Sequence, residues 1–169
     1  MINEDSLVNG SISLLVSMLL RYPELSSLNY DSKTKSLHLT YLTSSQLSEE
    51  QIHHLKEVLV ENLDAYMNLT GNGMDTFTIE VTLAGNVSFI EITRDVQTLS
   101  KGEISLLTGL LHRELETTLI SDNNEDLLTE ELTLQEEIIE ELLEFLRDVP
   151  HNQNVIAFRD NGKVLAFNK

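Results

Sequence analysis

Cysteine and tryptophan are both missing from this 169-residue chain. Without cysteine there is no disulfide framework, no thiolate zinc site and no thiol nucleophile. Proline occurs twice and glycine seven times, which leaves little for a phosphate-cradling loop. Basic residues are scarce, 11 Lys and Arg against 28 Asp and Glu, for a net charge of −17. That balance speaks against nucleic acid and against an anionic membrane surface as partners. Long hydrophobic runs are lacking too. The stretch from Ile12 to Leu20 is broken by Ser13 and Ser17 and is too short to span a bilayer. Glu4 and Asp5 stand before it where a signal peptide would carry Lys or Arg, so no leader is expected and the protein reads as cytoplasmic.

Catalytic signatures are absent as well. No G-x-S-x-G, P-loop, G-x-G-x-x-G or H-E-x-x-H occurs. Gly71-Asn72-Gly73 is the one glycine cluster and precedes a strand, so it reads as a helix-to-strand turn.

What the chain does have is helix and strand periodicity. Ser6–Arg21 reads as a broad apolar helix closed by Tyr22-Pro23. A hairpin follows, with Leu28–Tyr30 before a polar turn and Leu37, Leu39 and Tyr41 alternating after it. Ser48 and Gln51 have capping-box spacing ahead of a helix from Glu49 to Leu69, stopped by Gly71. Phe77–Leu83 and Val87–Thr93 form a second hairpin, and apolar residues on both faces of Val87–Thr93 suggest cover on both sides. Ser100 with Glu103 opens a helix reaching about Thr118. The last hairpin turns at Asn161-Gly162, a type I′ pair. One of its faces carries Ile156, Phe158, Leu165 and Phe167; the other carries Ala157, Arg159, Val164 and Ala166. The large residues are expected inward, each contributing about 2 kcal/mol by burial.

The order α-ββ-α-ββ-α-α-ββ predicts an α+β protein. Its sheet should be largely antiparallel, built from three hairpins, with helices mainly on one face. Residues 1–169 read as one domain, with a flexible break at 119–129 before a helix-hairpin unit at 130–169 that packs on its own chain or on a partner.

The strongest helical signal precedes that hairpin. Thr133 and Glu136 repeat the capping-box spacing, and Pro150 marks the stop. On a wheel of about 100° per residue, Leu134, Ile138, Ile139, Leu142, Phe145, Leu146 and Val149 share one arc, with Leu143 at its border. The opposite arc holds Glu136, Glu137, Glu140, Glu141 and Glu144, with Arg147 the sole base. Like charges four residues apart cost a few tenths of a kcal/mol per pair. Their retention without Lys marks the ladder as a candidate docking face for a basic protein partner, beside the plainer role of a solvated surface. A straight ladder lacks the converging oxygens of a Ca²⁺ site. Glu50 and His53 have E-x-x-H spacing, but metal bundles need two such motifs. No metal or cofactor is therefore expected.

The sequence supports two functional readings. One is a non-enzymatic protein-interaction module (adaptor, chaperone or regulator), with the C-terminal unit helping to form a homodimer. The other is a small enzyme or ligand-binding domain assembled from scattered residues, with His53, His54, Arg94 and His112 as first candidates. A flat apolar patch with an acidic rim would favour the former and a deep polar pocket with two histidines the latter.

Overall fold

The structure, a computed structural model, describes residues 4–122, 129–148 and 153–168. Its elements run α1 (Glu4–Arg21), β1 (Leu25–Asp31), β2 (Ser36–Thr43), α2 (Glu49–Thr70), β3 (Phe77–Ala84), β4 (Val87–Asp95), α3 (Lys101–Glu114), α4 (Thr129–Asp148), β5 (Val155–Asp160) and β6 (Lys163–Asn168). The strands form one antiparallel sheet in the order β3-β4-β2-β1-β5-β6. This is the α+β, three-hairpin architecture that the order of elements predicts. β5 pairs with β1 of the same chain, so the C-terminal hairpin completes the chain's own sheet. Of the expected break, residues 119–122 are tied down: Leu119 bridges Thr43, and the amides of Ile120 and Asp122 donate to the carbonyls of Leu42 and Pro23. Residues 123–128 lie outside the described residues, as does Pro150.

Register explains the layering. One row crosses the whole sheet as Ala166, Ala157, Leu28, Leu39, Ile92 and Ile79. Side chains directly opposite in neighbouring strands share a face, and this row points into the core. Leu28, Leu39, Ile92 and Ala157 are fully buried. The neighbouring row, Phe167, Ile156, Asn29, His38, Thr93 and Thr78, points the other way. No residue of that row is buried, so the helices cover one face. Phe89 on β4 is 37% exposed; β4 is covered on one side, contrary to the expectation from its two apolar faces.

The helices begin and end where local chemistry dictates. Ser48 caps α2: its side chain accepts from the Gln51 amide and the Gln51 side chain accepts from its own. Gly71 takes φ 72° at the other end, a conformation glycine enters without steric cost. Ser100 caps α3 through the Glu103 amide, but the Glu103 side chain turns away to Arg94, so the box is half made. α3 ends at Glu114, short of Thr118, and a turn follows. Thr133 is not the N-cap of α4; the helix starts a turn earlier, at Thr129.

α1 lies on β1, β5 and β6, and α4 lies on α1. The helices approach closely at Gly10, where an added Cβ would sit 2.8 Å from the Phe145 ring. α4 is turned relative to the apolar arc read from the sequence. Ile139, Leu143 and Leu146 are buried, while Leu134 is 55% exposed. Glu136 and Arg147 thereby border the buried stripe along one side. Arg21 of α1 holds Glu136 at 2.6 Å, and Arg147 donates to the carbonyls of Val96, at 3.1 Å, and Leu99. These ties let polar residues border the buried face at a rotation that apolar content alone does not select.

The C-terminal hairpin also faces the opposite way from its expected orientation. Its small face, Val155 and Ala157 with Val164 and Ala166, meets the core, and its large residues face outward. Leucines and Met18 of α1 already fill the space, so small residues beneath let the helix come close. Arg159 sits on this inner face and reaches the end of α1. Its guanidinium donates to the carbonyls of Leu19, Tyr22 and Leu25, with Tyr22 at 3.0 Å and Leu25 at 2.8 Å. A cation at a helix C-terminus is favoured by the helix dipole.

Candidate interaction surface

The five glutamates of the α4 ladder divide in two. Glu136 is taken by Arg21, and Glu140 accepts from the Lys101 amide at 3.4 Å. Glu137, Glu141 and Glu144 are exposed. The outward acidic surface is therefore narrower than the wheel suggests.

The four residues named for a catalytic or ligand site are dispersed. His53 is exposed and pairs with Glu57 one turn along α2 at 2.9 Å. His54 pairs with Glu114 at 3.2 Å. His112 borders a hollow of about 250 Å³ shared with Arg21, Tyr22, Glu24, Ser105 and Thr108. Arg94 is fully buried elsewhere. Two other hollows of about 260 Å³ contain no histidine. Among the described residues there is no group of three or more His, Asp or Glu able to hold a metal ion, and no helix long and apolar enough to cross a membrane.

Arg94 anchors a buried ionic cluster. Both oxygens of Glu103 accept from it, Oε1 at 2.7 Å, and Asp95 Oδ1 accepts from Nη1. The Thr76 carbonyl and Thr98 hydroxyl accept at 3.0 and 3.1 Å. Asp95 in turn accepts from the Thr76 and Thr98 amides, each at 2.9 Å, and from the Thr98 hydroxyl at 2.6 Å. Burial alone would lower the Arg94 pKa, but Glu103 and Asp95 outweigh it and raise it. Burial alone would raise the Asp95 pKa; the Thr98 and Thr76 hydrogen bonds and the Arg94 charge hold it below the usual 3.8. Every polar group is matched, and the cluster joins β4 to the start of α3. Its role is to position elements.

One constellation escaped sequence reading. On the open sheet face, Ser36 Oγ lies 3.5 Å from His38 Nε2, and His38 Nδ1 lies 3.2 Å from Glu91 Oε1. The order resembles a serine, base and orienting acid. However, Ser36 is only 3% exposed and is held by Thr34 at 2.7 Å. Thr93 competes for Nδ1 at 3.1 Å, and none of the three residues lines the hollows described above. An attacking oxygen needs access that Ser36 lacks, so this is a cross-strand polar network.

The outward face of β5–β6 is different in kind. Phe158 and Phe167 meet edge to face, with centroids 5.9 Å apart. Leu165 pairs across from Phe158, and Ile156 from Phe167. Leu165 and Phe167 are 42% and 49% exposed. Two facing pairs thus make an apolar patch on a sheet face whose centre carries Asn29, His38, Glu91 and Thr93 and whose other end exposes Phe89. The strand pattern showed the four residues as a set; only the packing of α1 shows that they face out. Comparison of the chain with protein-family models, with curated proteins and with solved structures finds no match in any of the three.

Proposed function

We propose that this is a cytoplasmic, non-enzymatic protein that acts by binding another protein, as an adaptor, chaperone or regulator. The observation that carries the reading is the outward-facing quartet of Leu165 and Phe167, which are exposed, with Ile156 and Phe158, which are half-buried beside them. Large side chains kept out of the core by smaller ones on the same strands are better explained by binding than by folding. Glu137, Glu141 and Glu144 supply a second, electrostatic element that would steer a basic partner. This contribution should weaken with salt, since exposed charges are screened over about 10 Å at 0.1 M.

The test is quantitative capture of partners from the native host by three forms. These are the wild type, a Leu165→Ser/Phe167→Ser variant, and a variant with Glu137, Glu141 and Glu144 changed to Gln. Proteins held by the wild type should be lost from the serine variant, and held more weakly and with less salt dependence by the glutamine variant. Equal recovery by all three, or none by the wild type, overturns the reading.

A further inference from the structure

One hollow is bordered by both Arg159 and Asp122. An irregularity of the sheet builds it. Leu25 of β1 stands opposite Tyr41 and Ser27 opposite Thr40, so Ser26 is an extra residue facing no residue of β2. Pairing with β5 stops beside it, at Ser27 and Phe158. A bulge of this kind bends its strand and ends pairing, and bulges are over-represented beside functional sites. Past the bulge, Leu119 takes the place next to β2, opposite Thr43. The Asp122 amide donates to the Pro23 carbonyl across the gap. The space enclosed is about 260 Å³, with Pro23, Leu25, Leu42 and Ile120 lining it beside the two charges. Leu25 belongs to the core and Ile120 is exposed, so the apolar wall runs from interior to surface.

The two charges are close without being bonded. Nε of Arg159 donates to Leu25, and Nη2 donates to Leu19 and Tyr22. The hydrogens of both nitrogens are then used. Nη1 makes no hydrogen bond among the described residues, and the carboxylate beside it, Asp122 Oδ2, is 3.6 Å away. That exceeds hydrogen-bond range, so Nη1 and Asp122 both line the hollow with bonding capacity to spare. Burial works against the Arg159 charge, while Asp122 and Glu24 favour it. A carboxylate placed on Nη1 would offset that burial further. A bare anion, however, would also meet Asp122, Glu24 and a chain of −17. A ligand carrying its own cation meets Asp122 as a partner instead. At ~30 Å³ per water-sized group, the hollow has room for roughly nine such groups, about the size of leucine. A carboxylate and an ammonium on one carbon, with an aliphatic side chain, describe an α-amino acid. A peptide supplies only one of the two charges at either end.

We propose that this hollow binds a free aliphatic α-amino acid. Its carboxylate sits on Nη1 of Arg159, its ammonium on Asp122, and its side chain against Leu25, Leu42 and Ile120. The site is separate from the apolar quartet and does not rest on the docking reading.

Calorimetric titration of the full chain with L-leucine, isocaproate and isopentylamine tests this. The last two are leucine without its ammonium and leucine without its carboxylate. L-Leucine should bind with a Kd of about 1 mM or below, and each analogue about tenfold or more weakly. Arg159 also fastens the fold, so Asp122 is the residue to change. Asp122→Asn should weaken L-leucine about tenfold. It should leave isocaproate unchanged or bound more tightly, because it removes a repelling acid. On isotopically labelled protein, the amide resonances of Ser26, Ile120, Ser121 and Gly162 should shift as L-leucine is added. No binding of L-leucine up to about 10 mM, or analogues that bind as well as it does, would overturn the proposal. So would an Asp122→Asn variant with full affinity for L-leucine, or resonance shifts confined to other parts of the chain.

Discussion

The hairpins at the two ends of the sheet are built from similar alternating strands and use them in opposite senses. In β3–β4 Ile79, Val81, Ile90 and Ile92 face the core, and Thr78, Glu80, Glu91 and Thr93 face out together with Phe89. In β5–β6 alanine and valine face the core, and phenylalanine, leucine and isoleucine face out. Alternation defines two faces, but the element lying on the strand decides which is covered. Each hairpin is then fastened by one arginine on its inner face. Arg94 is held by carboxylates of Glu103 and Asp95. Arg159 is held by neutral carbonyls at the end of α1, with Asp122 more distant at 3.6 Å.

The two arginines should differ most. Arg94→Met leaves Glu103, which is fully buried, without its partner, and should destabilise the protein by about 3–5 kcal/mol. Arg159→Met frees carbonyls near the surface and should cost about 1–3 kcal/mol. Urea midpoints at neutral pH make the comparison. Equal losses would show that the Arg159 latch matters to the fold as much as the ionic cluster does. Restoring much of the Arg94→Met loss by adding Glu103→Gln would locate the cost in the stranded carboxylate.

Side-chain truncation probes the opposite senses directly. Ile92→Ala removes a fully buried residue and should cost about 2–5 kcal/mol. Phe167→Ala removes a half-exposed ring and its edge contact with Phe158, about 1 kcal/mol or less. Phe158→Ala should likewise fall well short of the roughly 3 kcal/mol that an inward-facing ring would cost. Urea midpoints of the three variants make the comparison. A Phe167→Ala loss as large as that of Ile92→Ala would mean that the outer face is a second core.

The contrast also shows how far sequence reasoning reaches. Element order, the Ser48 cap, the Gly71 stop and the Asn161-Gly162 turn are local features, and each was legible. The inward face of β5–β6 was not, because large side chains argue for burial and the competing claim of α1 comes from residues over a hundred positions away. The turn of α4 was hidden for the same reason. Arg21 meets Glu136 across 115 positions, and Arg147 reaches Val96 across 51. Arg94 and Glu103 are nine apart, yet nothing in their spacing announces that both are buried. The surface quartet was visible as four apolar residues on one strand face, and its exposure was not.

Acid should act on the two fastenings unequally. Asp95 accepts hydrogen bonds from Thr76 and Thr98 and lies against Arg94, and its pKa in the folded protein is below 3.8. A carboxylate whose folded pKa is depressed stabilises the fold fully above its unfolded value. That contribution disappears as pH falls from about 3.8 through the folded value. The carbonyls that hold Arg159 do not titrate. The amides of Thr76 and Thr98 should therefore lose hydrogen-exchange protection in acid before the amide of Ala157 does. The other acids complicate absolute stability, because protonating a chain of −17 also relieves repulsion. Comparison with Asp95→Asn cancels that effect. The variant should be less stable than the wild type at neutral pH, and the gap should close as pH drops below 3.8. A gap independent of pH would show that Asp95 is not stabilised as an anion, and the β3–β4 fastening would then depend on Glu103 alone.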